Sequence, residues 1–211
     1  MSSGELVACN ATLVKFNNFN KKCKLPHGLT HEHVRLAMGD FVSFLGFINT
    51  QLNSRDMPRF EKFLMPANFS SMVGEFMNMS IPKYCNTLVK NKYHNGHPDL
   101  IPAGRFPNDE IQYSNVGLEI KGSRRLSGWQ GHNPEAVWLM VFCFDSNTTN
   151  DEKKSIGAKP FKFTGVYAAK LLESDWAFSG RSETSRRTIT ASVTKSGVEK
   201  MKSNWVYEDI S

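Results

Sequence analysis

Two acids and a lysine are the side chains of this sequence best suited to chemistry. They are Asp99, Glu119 and Lys121. Residues 116–121 alternate apolar and polar side chains, which predicts a strand, and residues two apart on a strand project from the same face. Carboxylates hold hard divalent cations through oxygen. The cation polarises a phosphate and lowers the pKa of a bound water, which a lysine can orient or deprotonate. With Asp99 supplied from a preceding segment, these residues predict metal-assisted cleavage of a phosphodiester.

The Glu-x-Lys spacing has a second interpretation, which stays open at this stage. Such a pair on a strand is also typical of a solvated face that carries an ion pair. Three neighbouring features favour chemistry instead. Pro98 precedes Asp99 in an extended segment, Arg124 and Arg125 follow the lysine closely, and the polar loop 127–133 leads into an apolar strand.

The strip from Pro98-Asp99 to Glu119-x-Lys121 resembles the motif of the PD-(D/E)XK nuclease superfamily and, within it, of the type II restriction endonucleases. The resemblance covers residues 97–145. It implies that Asp99 and Glu119 are ligands of Mg²⁺, with Mn²⁺ as an alternative ion, and that Lys121 acts on the water. It also implies an α/β (α+β) fold with a central mixed β-sheet flanked by helices, as in restriction endonucleases. The expected form is a homodimer acting on double-stranded DNA.

Further side chains are candidates for the metal site. A second acid from an upstream helix often joins sites of this superfamily, and Glu75 is the candidate here. Asp109 and Glu110 are alternatives to the first acid of the motif, although both are predicted to lie in a loop. His94 and His97 could ligate zinc, but no fourth ligand lies at a suitable spacing.

Basic and amide side chains predict a surface for DNA. The net charge is +6, and the basic residues concentrate in two short stretches, which is typical of a polyanion footprint. Arginine pairs with phosphates and guanine, and glutamine and asparagine pair with adenine. Trp129, in the same region, is predicted to pack rather than to stack on a base. The predicted DNA-binding residues are Arg124, Arg125, Gln130, Asn133, Arg181, Arg186 and Arg187.

Helices are predicted before the candidate site and strands around it. Helices are expected over residues 31–54, 71–79 and 196–203, and strands over residues 116–121, 137–144 and 187–193. Thr30 is placed to cap the first helix. The strand 137–144 is apolar enough to be buried on both faces. A turn is expected at Gly122-Ser123, while residues 161–172 are open between a strand and a short helix.

The composition predicts one globular domain over residues 1–211. Its helical part is expected at about 30–92 and its catalytic sheet core at about 93–211. Hydrophobic residues make up 40% and charged residues 22% of the chain, which is neither disordered nor fibrous. The longest apolar run is strand length, whereas a bilayer span needs roughly 20 residues. A membrane protein is therefore not expected.

The remaining motifs concern cofactors and compartment. No secretory signal is visible at the amino terminus, and the four cysteines show no Cys-x-x-Cys spacing. Reduced thiols in a cytoplasmic protein are expected. No phosphate-binding Gly-x-x-x-x-Gly-Lys-Ser/Thr loop is present, so no nucleotide cofactor is predicted.

The sequence favours one function and leaves two alternatives. The preferred hypothesis is a Mg²⁺-dependent type II restriction endonuclease, because loops rich in Arg, Ser, Thr, Gln and Asn suit the reading of bases. The first alternative is a repair nuclease or resolvase of the same superfamily. The second is a non-catalytic DNA-binding module in which Glu119-x-Lys121 is only structural.

Overall fold

A six-stranded mixed β-sheet forms the centre of the fold, in a computed structural model that describes residues 3–131, 133–179 and 190–209. Its strands, in spatial order, are β1 (Leu88–Lys90), β2 (Leu100–Pro102), β3 (Leu118–Ser123), β5 (Trp138–Asp145), β6 (Lys162–Lys170) and β9 (Trp205–Glu208). A second, three-stranded sheet contains β4 (Gln130–Gly131), β8 (Thr190–Val193) and β7 (Trp176–Ser179). β3 and β5 pair in parallel, and the other neighbouring strands are antiparallel.

Helices cover the central sheet. They are α1 (Ser3–Ala8), α2 (His31–Asn53), α3 (Phe60–Phe63), α4 (Pro66–Tyr84) and α5 (Lys195–Ser203). The predicted cap of α2 is confirmed, since the Thr30 hydroxyl accepts a hydrogen bond from the backbone N–H of His33. Across the described ranges, none of the helices is long and apolar enough to span a bilayer.

Two hydrophobic cores lie on opposite faces of the sheet. Leu118, Ile120 and Phe142 pack with α2 and α4 on one face, as the alternation of β3 predicts. Leu139 and Val141 pack on the other face with the second sheet and α5. β5 is therefore buried on both faces, as expected. The predicted fold class, a mixed α+β fold with a central mixed sheet flanked by helices, is confirmed.

Helix α4 is longer than predicted at both ends. Pro66 occupies its first turn, where a backbone N–H has no partner within the helix and proline costs nothing. Pro82 lies in the last turn, and the N–H of Cys85 still reaches the carbonyl of Ile81 at 3.0 Å. The two prolines therefore lie in the first and last turns of α4.

The predicted turn at Gly122-Ser123 is wrong, because β3 continues to Ser123. A Cβ atom on Gly122 would lie 2.3 Å from the carbonyl oxygen of Ser70 on α4. Glycine is needed here for the close approach of helix and strand. The segment left open at 161–172 forms β6.

A buried arginine ties the first helices to the loop that follows β5. Arg59 is only 2% exposed, and its Nε donates to Glu5 Oε2 at 2.8 Å. Its Nη2 donates to Asn147 Oδ1 at 2.6 Å, and its Nη1 donates to the Glu61 carboxylate and to the Lys159 carbonyl. Because Glu61 is also fully buried, each charge of this pair depends on the other for compensation.

Replacing Arg59 with Met should therefore destabilise the protein by about 3–5 kcal/mol, because the Glu61 charge would lose its buried cation. Urea unfolding followed by circular dichroism measures the change. Arg55→Met is the matched control, since Arg55 is exposed in the same connection, and it should change stability by less than about 0.5 kcal/mol. Equal effects of the two replacements would contradict the structural role of Arg59.

Candidate active site

The antiparallel pairing of β2 with β3 brings the three motif residues together. Leu100 pairs with Leu118, which sets Asp99 beside Glu119. Asp99 Oδ2 accepts a hydrogen bond from the backbone N–H of Ile120 at 2.8 Å, and the Asp99 N–H donates to Glu119 Oε2 at 3.3 Å. Lys121 Nζ donates to Glu119 Oε1 at 2.8 Å. The twenty-residue gap in sequence thus closes into direct contact, while the roles of these residues stay predictions.

A glycine makes this contact possible. Gly117, just before β3, has a φ of +147°, a conformation that residues with a side chain rarely adopt. A Cβ atom there would lie 2.3 Å from the carbonyl oxygen of Leu100 and 2.4 Å from Cγ of Pro98. The absence of a side chain therefore lets the segment that carries Asp99 lie directly against β3.

Two further residues join the cluster: His97, which the sequence suggested only as a possible zinc ligand, and Glu135, which it did not suggest. His97 Nδ1 lies 3.1 Å from Glu119 Oε2 and 3.9 Å from Glu135 Oε1. One potential ligand atom from each of His97, Glu119 and Glu135 lies within 4.8 Å of the others, so this group could hold a metal ion. Glu135 was missed because it precedes β5. Only the parallel pairing of β5 with β3 brings that end beside Glu119, and strand direction is not visible in the apolar pattern.

Three carboxylates meet one lysine and one histidine here, and this imbalance shifts their pKa values. Burial, and then the charge of Glu119, raise the pKa of Asp99 to about 7. Burial would also raise the pKa of Glu119, but His97 and Lys121 outweigh it and hold that pKa at about 2. Burial lowers the pKa of Lys121, but the carboxylates, chiefly Glu119, outweigh it and raise that pKa. The protein's own groups therefore leave Asp99 protonated up to about pH 7, beside an ionised Glu119.

The cluster opens into a groove made of three adjoining hollows along β3. The largest, of about 860 Å³, contains the cluster and is bordered by His94 and Tyr113. The second, of about 340 Å³, shares Glu75 and Lys121 with it and lies against α4. The third, of about 450 Å³, extends past Lys121 towards Trp129. Lys121 borders all three hollows, so it lies where they adjoin.

The other candidate acids lie farther from the cluster. Glu75 borders the groove from α4 and forms an ion pair with Lys90 at 3.0 Å. Its charge also contributes to the raised pKa of Asp99, after burial and Glu119. Asp109 accepts a hydrogen bond from the backbone N–H of Gly104 in a surface turn, and the neighbouring Glu110 is exposed. Neither of these two residues borders the groove hollows.

The structure places several of the predicted DNA-binding residues at the groove, and it gives one of them contacts inside the protein. Arg125 and Gln130 are exposed and border the groove, and Asn133 is exposed at its cluster end. Arg124 borders the groove too, but its guanidinium donates to the carbonyl oxygen of Ser146 at 2.8 Å.

The guanidinium of Arg124 also packs over the rings of Phe69 and Phe144. Its contact with DNA remains a prediction beside this internal role. Trp129 is buried, as predicted. Arg181, Arg186 and Arg187 lie outside the described residues.

Comparisons with protein-family models, with curated proteins and with solved structures gave no match for this chain. The function is therefore argued from the geometry of the site.

Replacing Asp99 with Asn should stabilise the protein in a chelator-containing buffer. The pKa of Asp99 is raised from its ordinary value of 3.8 to about 7 on folding. Between these values the unfolded chain has released this proton while the folded chain retains it, so the wild type loses stability as the pH rises. We expect the advantage of Asp99→Asn to grow from pH 4 to pH 7 and to level off above pH 7, at up to about 4 kcal/mol.

Urea unfolding at a series of pH values measures this advantage. Glu110→Gln is the control, because Glu110 is exposed, and it should stay within about 0.5 kcal/mol of the wild type at every pH. If the stability advantage of Asp99→Asn did not change with pH, the Asp99 carboxyl would not have a raised pKa in the folded protein.

Proposed function

We propose that this chain is a divalent-metal-dependent endodeoxyribonuclease of the type II restriction kind. The observation that supports the proposal is the direct contact of the three motif residues, in which Glu119 touches both the Asp99 backbone and the Lys121 ammonium. A solvated strand face with an ion pair would expose these groups. Here Glu119 is 9% exposed and borders the groove, which favours a chemical role over a surface ion pair.

The residues have separate roles in this proposal. Asp99 and Glu119 would hold Mg²⁺, or Mn²⁺ in its place, and the ion would polarise the phosphate and lower the pKa of a bound water. The backbone N–H of Ile120 fixes Asp99 Oδ2, which leaves Oδ1 of the same carboxylate for a ligand. Glu75 faces the groove and has only Lys90 as a charged partner among the described residues, so we assign it a peripheral role.

Lys121 is best suited to stabilising charge and orienting the water. Its pKa is raised because the carboxylates, chiefly Glu119, outweigh burial, and its ammonium donates a hydrogen bond to Glu119 Oε1 at 2.8 Å. A protonated lysine donates hydrogen bonds and attracts the phosphate oxygens, but it does not remove a proton. Of the two roles predicted from sequence, orientation is therefore the one we propose.

The groove suits a nucleic-acid backbone. It runs past Lys121 and carries the exposed Arg125 and Gln130, of which Gln130 also borders the hollow that contains Asp99 and Glu119. Guanidinium and amide groups beside a phosphate-binding centre can contact phosphates and base edges at once. These residues support duplex DNA as the substrate, and a homodimer would present two such grooves to a palindromic site.

Asp99→Asn and Glu119→Gln should each abolish cleavage of a supercoiled plasmid in Mg²⁺, because each removes one anionic metal ligand. DNA binding in Ca²⁺, measured by gel shift, should persist, since the groove contacts lie elsewhere. Glu110→Gln should cleave like the wild type, because this carboxylate is exposed outside the groove.

The products decide among the candidate functions. Discrete fragments from the wild type support restriction, whereas a nicked circle points to a repair nickase. Binding without cleavage under any divalent ion would overturn the nuclease proposal, and full activity in Asp99→Asn would overturn the ligand assignment.

Lys121→Ala and Lys121→Arg should both reduce the cleavage rate by about 100-fold or more. The Ala variant removes the positive charge, and the Arg variant replaces a compact ammonium by a wide planar group that does not fit the same contact with Glu119. Single-turnover cleavage measures the rate. Lys90→Ala is the control, because Lys90 pairs with Glu75 at the rim, and it should lose less than about threefold. Retained activity in Lys121→Ala would reduce this lysine to a structural partner of Glu119.

A further inference from the structure

The histidine in the cluster changes the kind of metal ion that the site favours. Asp99 and Glu119 offer only oxygen, which suits Mg²⁺ and Ca²⁺. His97, Glu119 and Glu135 offer one nitrogen and two oxygens. Imidazole nitrogen is a preferred ligand of first-row transition metals and a poor one for Mg²⁺. The two sets share Glu119 and differ in donor chemistry.

The distance between His97 and Glu119 already fits a bound ion. Ligands about 2.1 Å from one metal ion lie roughly 3.0–3.4 Å from one another in octahedral or tetrahedral geometry. His97 Nδ1 lies 3.1 Å from Glu119 Oε2, inside that range. The 3.9 Å between His97 Nδ1 and Glu135 Oε1 exceeds it by about half an ångström. All three ligand atoms lie within 4.8 Å of one another, so the Glu135 carboxylate has to move closer to complete the set.

The backbone around these ligands is already held in place. The N–H of His97 donates to the Gln112 carbonyl at 3.0 Å, and the His97 carbonyl accepts from Ser114 N–H at 2.9 Å. The imidazole stacks on the Tyr113 ring, with 5.5 Å between centroids. The carbonyl of Glu135 is anchored by the indole N–H of Trp176 at 3.0 Å. These contacts fix the backbone that carries His97 and Glu135, so only side chains have to adjust when an ion binds.

Burial supplies a second reason for a cation at this position. The side chains of His97, Glu119 and Glu135 are 16%, 12% and 7% exposed, so two carboxylates face the imidazole largely out of water. Bringing like charges together away from water is costly unless a cation balances them. Lys121 contacts Glu119 through the other carboxylate oxygen, Oε1. The oxygen Oε2, which also accepts a hydrogen bond from the Asp99 N–H, and the Glu135 carboxylate both lie near His97.

We infer that His97, Glu119 and Glu135 form a binding site for a first-row transition-metal ion, distinct in its donors from the Mg²⁺ position proposed at Asp99 and Glu119. The site stands independently of DNA cleavage; only its use during cleavage rests on the proposed function. Glu119 belongs to both positions, with Oε1 on the side of Lys121 and Oε2 on the side of His97.

The test is Co²⁺ binding, followed by visible absorption and by isothermal titration calorimetry, with Mg²⁺ titrated in parallel. The variants are His97→Gln, Glu135→Gln and, as a matched control, His94→Gln. His94 borders the same hollow but lies outside the three-ligand group. His97→Gln and Glu135→Gln should each weaken Co²⁺ binding about tenfold or more. His97→Gln should change Mg²⁺ binding less than about threefold, and His94→Gln should bind both ions like the wild type.

The outcomes separate this site from the proposed function. Equal Co²⁺ affinity in the wild type, His97→Gln and Glu135→Gln overturns the inference, and so does a wild type that does not bind Co²⁺. Thermal unfolding of each variant checks that it folds, and two independent ligand variants keep the test decisive if one does not. A wild type that binds Co²⁺ through His97 but cleaves no DNA supports the site and overturns the nuclease proposal.

Discussion

The crowding of three buried carboxyl groups beside β3 is the constraint on which the candidate site depends. Asp99, Glu119 and Glu135 lie in a region of low exposure with Lys121 as the common cation. Each buried carboxylate carries a desolvation penalty of several kcal/mol, which only close partners can offset. One of those partners is the backbone N–H of Ile120, which belongs to the strand itself. The hydrogen bond that holds Asp99 therefore lies next to the pairing of β2 with β3. A change in that pairing would also displace Asp99.

Much of the fold could be predicted from the sequence because its signals are local. The periodicity after His31 and the cap at Thr30 define α2, and the alternation from Leu118 to Lys121 separates core from groove. The error at Gly122-Ser123 has a non-local cause. Whether a glycine turns the chain or admits a helix depends on what packs against it, and Ser70 lies far away in sequence.

In the candidate site too, the residues placed by local spacing could be predicted, and the residue placed by long-range strand pairing could not. Asp99, Glu119 and Lys121 could be found because the spacing of a strand places the last two together and a nearby extended segment supplies the first. Glu135 could not be found, since its position follows from strand direction. Arginines posed a similar difficulty. Arg59 and Arg124 both count towards the basic charge, yet their guanidinium groups bind carbonyls and side chains inside the protein. The sequence does not reveal whether a basic side chain faces the solvent or the interior of the protein.

The parallel pairing of β3 with β5 has a consequence for how such a groove can diversify. Antiparallel neighbours can be joined by a two-residue turn, but parallel neighbours need a crossover of about a dozen residues. Here that crossover spans residues 124–137, and it carries Arg125, Gln130 and Glu135. Its described part is anchored by the buried Trp129, whose indole N–H donates to the Arg125 carbonyl at 2.9 Å. The crossover that parallel pairing requires is thus also a wall of the groove. Insertions into this crossover would change the shape of the groove and the ligands that fit it. They would leave the pairing of the strands that position Asp99, Glu119 and Lys121 intact.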